Sequence, residues 1–280
     1  PTIGDKMIMI ATAIVSTVLH NTTLVLVQQS EDCYWVKRLQ DLFEVFHNQT
    51  PLIKYSLIED WPNLAEHNAS DLHPEVYVPN RNFTFSGYRQ HWRYVESPAE
   101  IKAVRNDFRF TEKYIKYADS TITEAKERFS ADDNAIVVGM HITVEGLNFA
   151  HGQRMANLTF YRKAMQELNQ TFSTKKLIFI IVSSKTESAK ALLNDLSSSY
   201  NIYYPTNSSY PSWFMSEGLA LLSHCHHVVT SGGSLGYWAG FLSGGKVVYY
   251  SEFAKPGTKF SQEFHNENFY RPEWVGIGDT

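Results

Sequence analysis

Apolar positions in the second half of the chain alternate between two periods. Continuous apolar runs of strand length cover Ala135 to His141, Lys176 to Val182, Val228-Val229 and Lys246 to Tyr250. Between them, Leu158 to Leu168, Ser188 to Leu196, Trp213 to Leu222 and Leu235 to Leu242 repeat their apolar residues at helical spacing. Strands separated by helices of this length predict a doubly wound parallel sheet. The first half is less regular. Its pattern gives a helix from Met7 to Leu19, a strand from Thr23 to Val27, a helix from Trp35 to Phe46, and helices at Pro98 to Asp107 and Thr111 to Phe129. Residues 50–86, rich in Pro, Asn and His, carry no helical period and are long for a structureless loop, which makes them a candidate ligand-facing segment. The chain therefore reads as α/β in two parts: 1–130, and 131–280 with the regular alternation.

Ligands of open parallel sheets bind beyond the carboxyl ends of the strands. His141 and Ser231 both stand at such ends. After the strand His226 to Thr230, the residues Ser231-Gly232-Gly233-Ser234 are small enough for a ligand to approach the main chain, and Ser234 is placed to cap the helix that follows. A helix N-terminus beside such a loop favours anions, a diphosphate among them. An ordinary capped strand-to-helix turn has the same composition.

With 280 residues, 43% apolar and 19% charged, the chain can bury one large or two modest cores. Its net charge of −4 and the lack of clustered Lys and Arg argue against a nucleic-acid surface. Seven Asn-x-Ser/Thr sequons, at Asn21, Asn48, Asn68, Asn82, Asn157, Asn169 and Asn207, predict exposure to the secretory lumen; Asn48 is the weakest, because Pro51 follows its Thr50. Cys33 and Cys225 leave a disulfide and two buried thiols equally open. The apolar run Met7 to Leu19 is too short to span hydrocarbon and reads as a buried helix. No Asp-x-Asp is present to bridge a divalent ion to a diphosphate, so no metal is expected.

The order of residues toward the end of the chain resembles the donor-binding region of the galactoside α-1,2-fucosyltransferase family. The resemblance runs through Glu217 to Leu222, Cys225, Val228-Val229, Ser231 to Ser234 and the pair Tyr237-Trp238. It closes on Pro272-Glu273-Trp274-Val275-Gly276-Ile277, which is similar to the animal members in particular. The resemblance implies two Rossmann-like halves of the GT-B type, with an acceptor side in 1–130, truncated at its start, and the nucleotide-sugar site in 131–280. It implies GDP-fucose as donor substrate without cofactor or metal, a galactose-containing glycan as acceptor, and inversion at the anomeric carbon. It also implies a Golgi type II membrane protein with its anchor upstream of Pro1. The donor-binding set is then Gly4, Asp5, Lys6, His141, Glu217, Ser231, Gly232, Gly233, Ser234 and Leu235.

The sequence departs from the family at three places. The amino-terminal Gly-Arg-Leu-Gly-Asn-Gln-Met appears as Pro1-Thr2-Ile3-Gly4-Asp5-Lys6-Met7, with Asp5 also suited to capping the helix after Gly4. The central His-x-Arg-Arg-x-Asp appears as His141-Ile142-Thr143-Val144-Glu145-Gly146, which keeps the histidine, preceded by a matching Val137-Val138-Gly139-Met140, and loses both arginines. Gly218 stands where many members carry an acid, with Glu217 beside it. Departure of a diphosphate calls for positive charge, and arginine supplies a fixed bidentate fork. His151 and Arg154, in the loop after the strand ending at His141, are the expected substitutes, which makes His141, Glu145, His151 and Arg154 the candidate catalytic set. Two alternatives remain beside an active fucosyltransferase: a non-catalytic relative that binds a glycan or partner, and a transferase with altered donor choice.

Overall fold

The computed structural model describes residues 3–20, 26–28, 34–48, 52–54, 63–65, 84–86, 91–144, 152–205 and 216–280. The chain divides into two compact units, one formed by Pro1–Thr111 with Glu263–Arg271 and the other by Glu112–Gln262 with Pro272–Thr280.

In the first unit, helix α1 (Ile3–His20) buries Met7, Ile8, Ile10, Ala11, Ala13, Ile14 and Val15, a broad apolar face. It packs on α2 (Tyr34–Leu42) and α4 (Pro98–Asp107), with α3 (Glu44–Asn48) between them in sequence. The helix begins at Ile3, ahead of the expected start at Met7, so Gly4, Asp5 and Lys6 lie inside it. The helix expected over Trp35 to Phe46 is broken at Phe43. There the backbone turns to make an antiparallel bridge with Phe110, and Thr111 N–H donates to Leu42 C=O at 2.9 Å. Phe43 has ring contacts with Phe46, Phe108 and Phe110, and all four rings are buried. Helix α4 starts as its sequence dictates: Ser97 and Glu100 form a reciprocal capping box, and Pro98 occupies the first turn. Two short parallel pairs complete the described strands, β1 (Leu26–Gln28) with β2 (Leu52–Lys54) and β3 (Asn63–Ala65) with β4 (Thr84–Ser86). Residues 263–271 return to this unit. Trp92 Nε1 donates to Glu267 C=O at 3.0 Å, and the buried Arg271 donates to Val95 C=O at 2.8 Å.

The second unit opens with α5 (Glu112–Arg128), whose buried stripe Tyr114, Ala118, Thr121 and Ala125 faces α8 (Ser216–His224). That packing joins α5 to this unit, which begins at Glu112. The core is a six-stranded parallel sheet of order β10-β9-β8-β5-β6-β7, made of β5 (Ile136–His141), β6 (Leu177–Val182), β7 (Asn201–Tyr203), β8 (His227–Thr230), β9 (Val247–Tyr250) and β10 (Val275–Ile277). The central strands are buried on both faces, which is why they read as unbroken apolar runs. Helices α6 (Leu158–Thr171) and α7 (Thr186–Leu193) connect strands running one way from β5, whereas α8 and α9 (Gly233–Ser243) run the other way. Right-handed crossovers then put the two pairs on opposite faces, with β5 and β8 flanking the point where strand order reverses. At the amino end of the sheet, Val137 N–H donates to His226 Nδ1 at 3.0 Å and Lys246 N–H to His227 Nδ1 at 2.9 Å, which ties β8 to both neighbours.

Pattern reading missed three-residue β7 and β10, as well as the short helices α10 (Lys259–Glu263) and α11 (Asn266–Phe269). The closing motif is explained by packing: Val275–Ile277 is an edge strand, and the buried Trp274 lies 5.2 Å from the Tyr237 ring of α9. Cys225 is a free buried thiol, pushed up by burial; Cys33 lies outside the described residues. Among the described residues no helix is long and apolar enough to cross a membrane.

Candidate functional site

The carboxyl ends of β5 and β8 are stitched together by the residues that leave them. Ser231 N–H donates to His141 C=O at 3.1 Å, and Thr143 N–H donates to Ser231 Oγ at 2.9 Å. Gly232 N–H donates to Thr230 Oγ1 at 3.1 Å, and the same hydroxyl lies 3.3 Å from His141 Nδ1. Thr230 is therefore the hub of the turn; it had no distinguishing mark in sequence beyond a polar residue closing an apolar strand. Gly236, in the first turns of α9, lets this helix descend onto the hub: a Cβ there would lie 1.8 Å from Thr230 Oγ1 and 3.0 Å from His141 Nδ1.

Gly232 (φ 118°) and Gly233 (φ 82°) both have positive φ, a region that favours glycine. They start α9 at Gly233, with Gly232 in the capping position and no side-chain cap, so Ser234 falls inside the helix and does not cap it. The Ser231 and Gly232 N–H groups are bonded within the protein. Donors toward an anion therefore come from the first turn of α9 beginning at Gly233, where helix geometry leaves N–H groups without intrahelical acceptors. A Cβ on Gly233 would meet nothing within 4 Å, so the loop has an open side at that point. The opposite side is closed by Phe253, whose ring lies against Gly232.

The structure brings His141, Ser231, Gly232, Gly233, Ser234 and Leu235 of the expected set to one place. Ser231 and His141 are buried, while Ser234 and Leu235 are half-buried. Thr143 and Val144, which stand where the resemblance has arginines, are half-exposed at the end of β5. Arg154 is engaged elsewhere: its guanidinium pairs with Glu252 at 3.0 Å and Asp279 at 3.4 Å, and its N–H donates to Phe253 C=O at 2.7 Å. Its charge is thus already balanced by two carboxylates, which sequence spacing gave no means of foreseeing. Glu217 is half-exposed in the first turn of α8, and Gly218 beside it is buried. Gly4, Asp5 and Lys6 belong to the first unit. Glu145 and His151 lie outside the described residues, as do Asn21, Asn68, Asn82 and Asn207. Of the other sequons, Asn157 and Asn169 are exposed, and Asn157 Oδ1 caps α6 by accepting from Thr159 N–H at 2.8 Å. Among the described residues no group of three or more His, Cys, Asp and Glu is arranged for a metal ion.

Burial pushes the His141 imidazole down to about 4, so at neutral pH it is an uncharged hydrogen-bonding group. In the unfolded chain it takes up a proton near 6.5. Its contribution to stability is therefore complete above about pH 6.5 and is lost as pH falls toward about 4, by at most ~1.4 kcal/mol per pH unit. His227, pushed down by burial and then by His226 and Lys246, acts in the same direction. The denaturant midpoint is expected to hold steady above about pH 7 and to decline below about 6.5, with a shallower decline in His141→Gln. Equal slopes in the two proteins would remove His141 from this account.

The model of glycosyl transferase family 11 matches residues 76–278. Galactoside alpha-(1,2)-fucosyltransferase 1 of Homo sapiens is 25% identical over 223 residues, covering 78% of this chain and 58% of that protein. The protein of the same name from Mico humeralifer is 26% identical over 196 residues, covering 69% of this chain and 52% of its own. The chain spans about half the length of the curated relatives it matches. Among solved structures, a mutant of Arabidopsis thaliana FUT1 in complex with GDP superimposes with a TM-score of 0.55 at 14% identity, over 94% of this chain and 71% of that one. The fucosyltransferase NodZ from Bradyrhizobium gives 0.52 at 13% identity, over 85% and 89%. At such identities the likeness is one of fold, an α/β architecture of the GT-B type. The family model takes in the whole six-stranded sheet and the turn between β8 and α9, and on that match the chain belongs to glycosyl transferase family 11.

Proposed function

We propose that the chain is a fucosyltransferase, transferring fucose from GDP-fucose to a galactose of a glycan with inversion and without a metal. Family membership supports the chemistry. The observation that carries the donor assignment is the β8–α9 turn at the strand-order reversal, with two left-handed glycines, an open side at Gly233 and a helix N-terminus directed to it. In this reading the second unit holds the GDP. The acceptor hydroxyl attacks the anomeric carbon as the bond to the diphosphate oxygen breaks, its proton passing to a base for which Glu145, Asp5 and His151 are the candidates. The α9 N-terminus offsets charge on the departing diphosphate. The exposed Asn157 and Asn169 sequons support a lumenal setting, which we assign to the Golgi.

Thr143, Val144 and the paired Arg154 favour a second reading, in which the cleft binds the nucleotide and transfer is lost or the donor is changed. Two measurements separate the two. GDP at about 100 times its dissociation constant is expected to raise folding stability by about 2.7 kcal/mol, and labelled fucose is expected to reach lactose. Absence of any GDP-induced stabilisation would sink the donor assignment. Stabilisation without transfer from GDP-fucose would leave the second reading in its place.

A further inference from the structure

In the sheet, β8 has β5 on one side and β9 on the other, with β10 beyond β9. The β8–α9 turn is accordingly held from two directions. On the β5 side, Thr143 N–H donates to Ser231 Oγ at 2.9 Å. On the β9 side, the Phe253 ring lies against Gly232. Phe253 is itself fastened by residues 152–154, which lead into α6: Arg154 N–H donates to Phe253 C=O at 2.7 Å, Lys255 N–H donates to Gly152 C=O at 2.8 Å, and Gln153 forms an antiparallel bridge with Ala254. The Arg154 side chain then anchors that segment beyond the carboxyl ends of two strands. One terminal nitrogen of its guanidinium donates to Glu252, which follows β9, at 3.0 Å, and the other to Asp279, which follows β10, at 3.4 Å. Asp279 is the centre of this clamp. Its side chain is only 3% exposed, and besides Arg154 it accepts from Tyr250 O–H at 2.9 Å and from Asn157 N–H at 3.4 Å. A carboxylate buried so deeply persists only where such partners offset its loss of water. Lysine could supply the charge at position 154 but not a planar fork that reaches two carboxylates at once.

We propose that Asp279 and Arg154 are positioning residues for the donor turn: the Asp279 carboxylate fixes Arg154, the Arg154 main chain fixes Phe253, and the Phe253 ring sets Gly232 and with it the start of α9. Arg154 thus serves the site through its geometry and not by neutralising a diphosphate, its charge being already matched by Glu252 and Asp279. The inference rests on the donor assignment above. It extends the site to the residue after the edge strand β10, three strands away from β5 in the sheet.

The test is calorimetric titration of the full chain with GDP, beside denaturation without ligand, for wild type, Asp279→Asn, Arg154→Lys, Phe253→Leu, and each clamp change combined with Phe253→Leu. Phe253→Met takes the place of the leucine variant if that one does not fold. Asp279→Asn and Arg154→Lys are each expected to weaken GDP binding about fivefold. With Phe253 already replaced, the same changes are expected to leave GDP affinity where that replacement puts it, because the clamp acts through the ring, while still lowering the denaturant midpoint. A merely structural clamp would lower the midpoint in both backgrounds and move affinity in neither. Equal GDP affinity of wild type and both clamp variants, or of wild type and Phe253→Leu, overturns the proposal alone. The same loss of affinity with and without the ring shows that Arg154 acts on the ligand by another route, and overturns it too. Failure of both clamp variants, or of both replacements of Phe253, to fold assigns these residues to structure and has the same consequence. No GDP binding by the wild type overturns the donor assignment and this proposal together.

Discussion

Replacing Thr143 and Val144 together by arginine is expected to raise the rate of fucose transfer from GDP-fucose by about 100-fold or more, the effect typical of a single well-placed charge-stabilising group. The argument rests on where these residues stand. Thr143 N–H is bonded to Ser231 Oγ, so residue 143 lies one hydrogen bond from the turn that leads to the α9 N-terminus. Both side chains are half-exposed, which leaves room for a guanidinium to reach outward from the sheet without being stripped of water. Among the described residues, His141 and Arg154 do not make up the deficit. His141 is neutral at physiological pH, and Arg154 is shared between Glu252 and Asp279. A helix N-terminus contributes about half a unit charge, short of what a departing diphosphate develops. The measurement is initial transfer rate to lactose for wild type and double variant, together with GDP affinity. If GDP affinity rises but the transfer rate does not, the missing arginines are not what limits the reaction. If the wild type already transfers as fast as the variant, the loss of the two arginines is not what sets the rate.

What could be read from sequence here, and what could not, follows a physical division. The strands β5, β6, β8 and β9 are buried on both faces, and burial on both faces leaves an unbroken apolar run that needs no tertiary knowledge to recognise. Of the helices between them, α6 carries one apolar stripe, whereas α8 and α9 bury consecutive residues on every side; their length and the small-residue turns between them still mark them as helices. Edge strands of three residues, such as β7 and β10, bury too little to leave a pattern, so they were missed. The break at Phe43 was invisible for a different reason: its cause is a bridge to Phe110, far along the chain. The same holds for the return of residues 263–271 to the first unit. At the site, residue order identified the turn and the family, but not its mechanics. Ser234 was an obvious cap by type, yet two glycines with positive φ start the helix before it. Arg154 was a free cation by type, and its carboxylate partners lie about a hundred residues on. Thr230 gains its role only from what surrounds it in three dimensions.

The second large effect is expected from Gly232→Ala, which should cost about 4 kcal/mol of folding stability and abolish stabilisation by GDP. Two independent terms add. Gly232 sits at φ 118° and ψ −179°, a region that is essentially reserved for glycine and costs other residues about 1–3 kcal/mol. Its Cβ would also stand 2.5 Å from the Phe253 ring. That ring cannot withdraw freely, because Phe253 is buried, packs edge-on against Phe260 at 5.7 Å, and holds the Arg154 N–H at 2.7 Å through its own carbonyl. Overpacking of this kind adds about 1–3 kcal/mol. Relief by moving the turn would stretch the bonds from Gly232 N–H to Thr230 and from Thr143 N–H to Ser231, which together set the approach to the α9 N-terminus. Gly233→Ala is the control. It also has a positive φ, 82°, but its Cβ would enter open space, so only the backbone cost of about 1–2 kcal/mol applies. Denaturant midpoints of the two variants are therefore expected to fall well apart, with Gly232→Ala the lower. If they coincide, the contact with Phe253 is not what shapes the turn, and the crevice is held by backbone conformation alone.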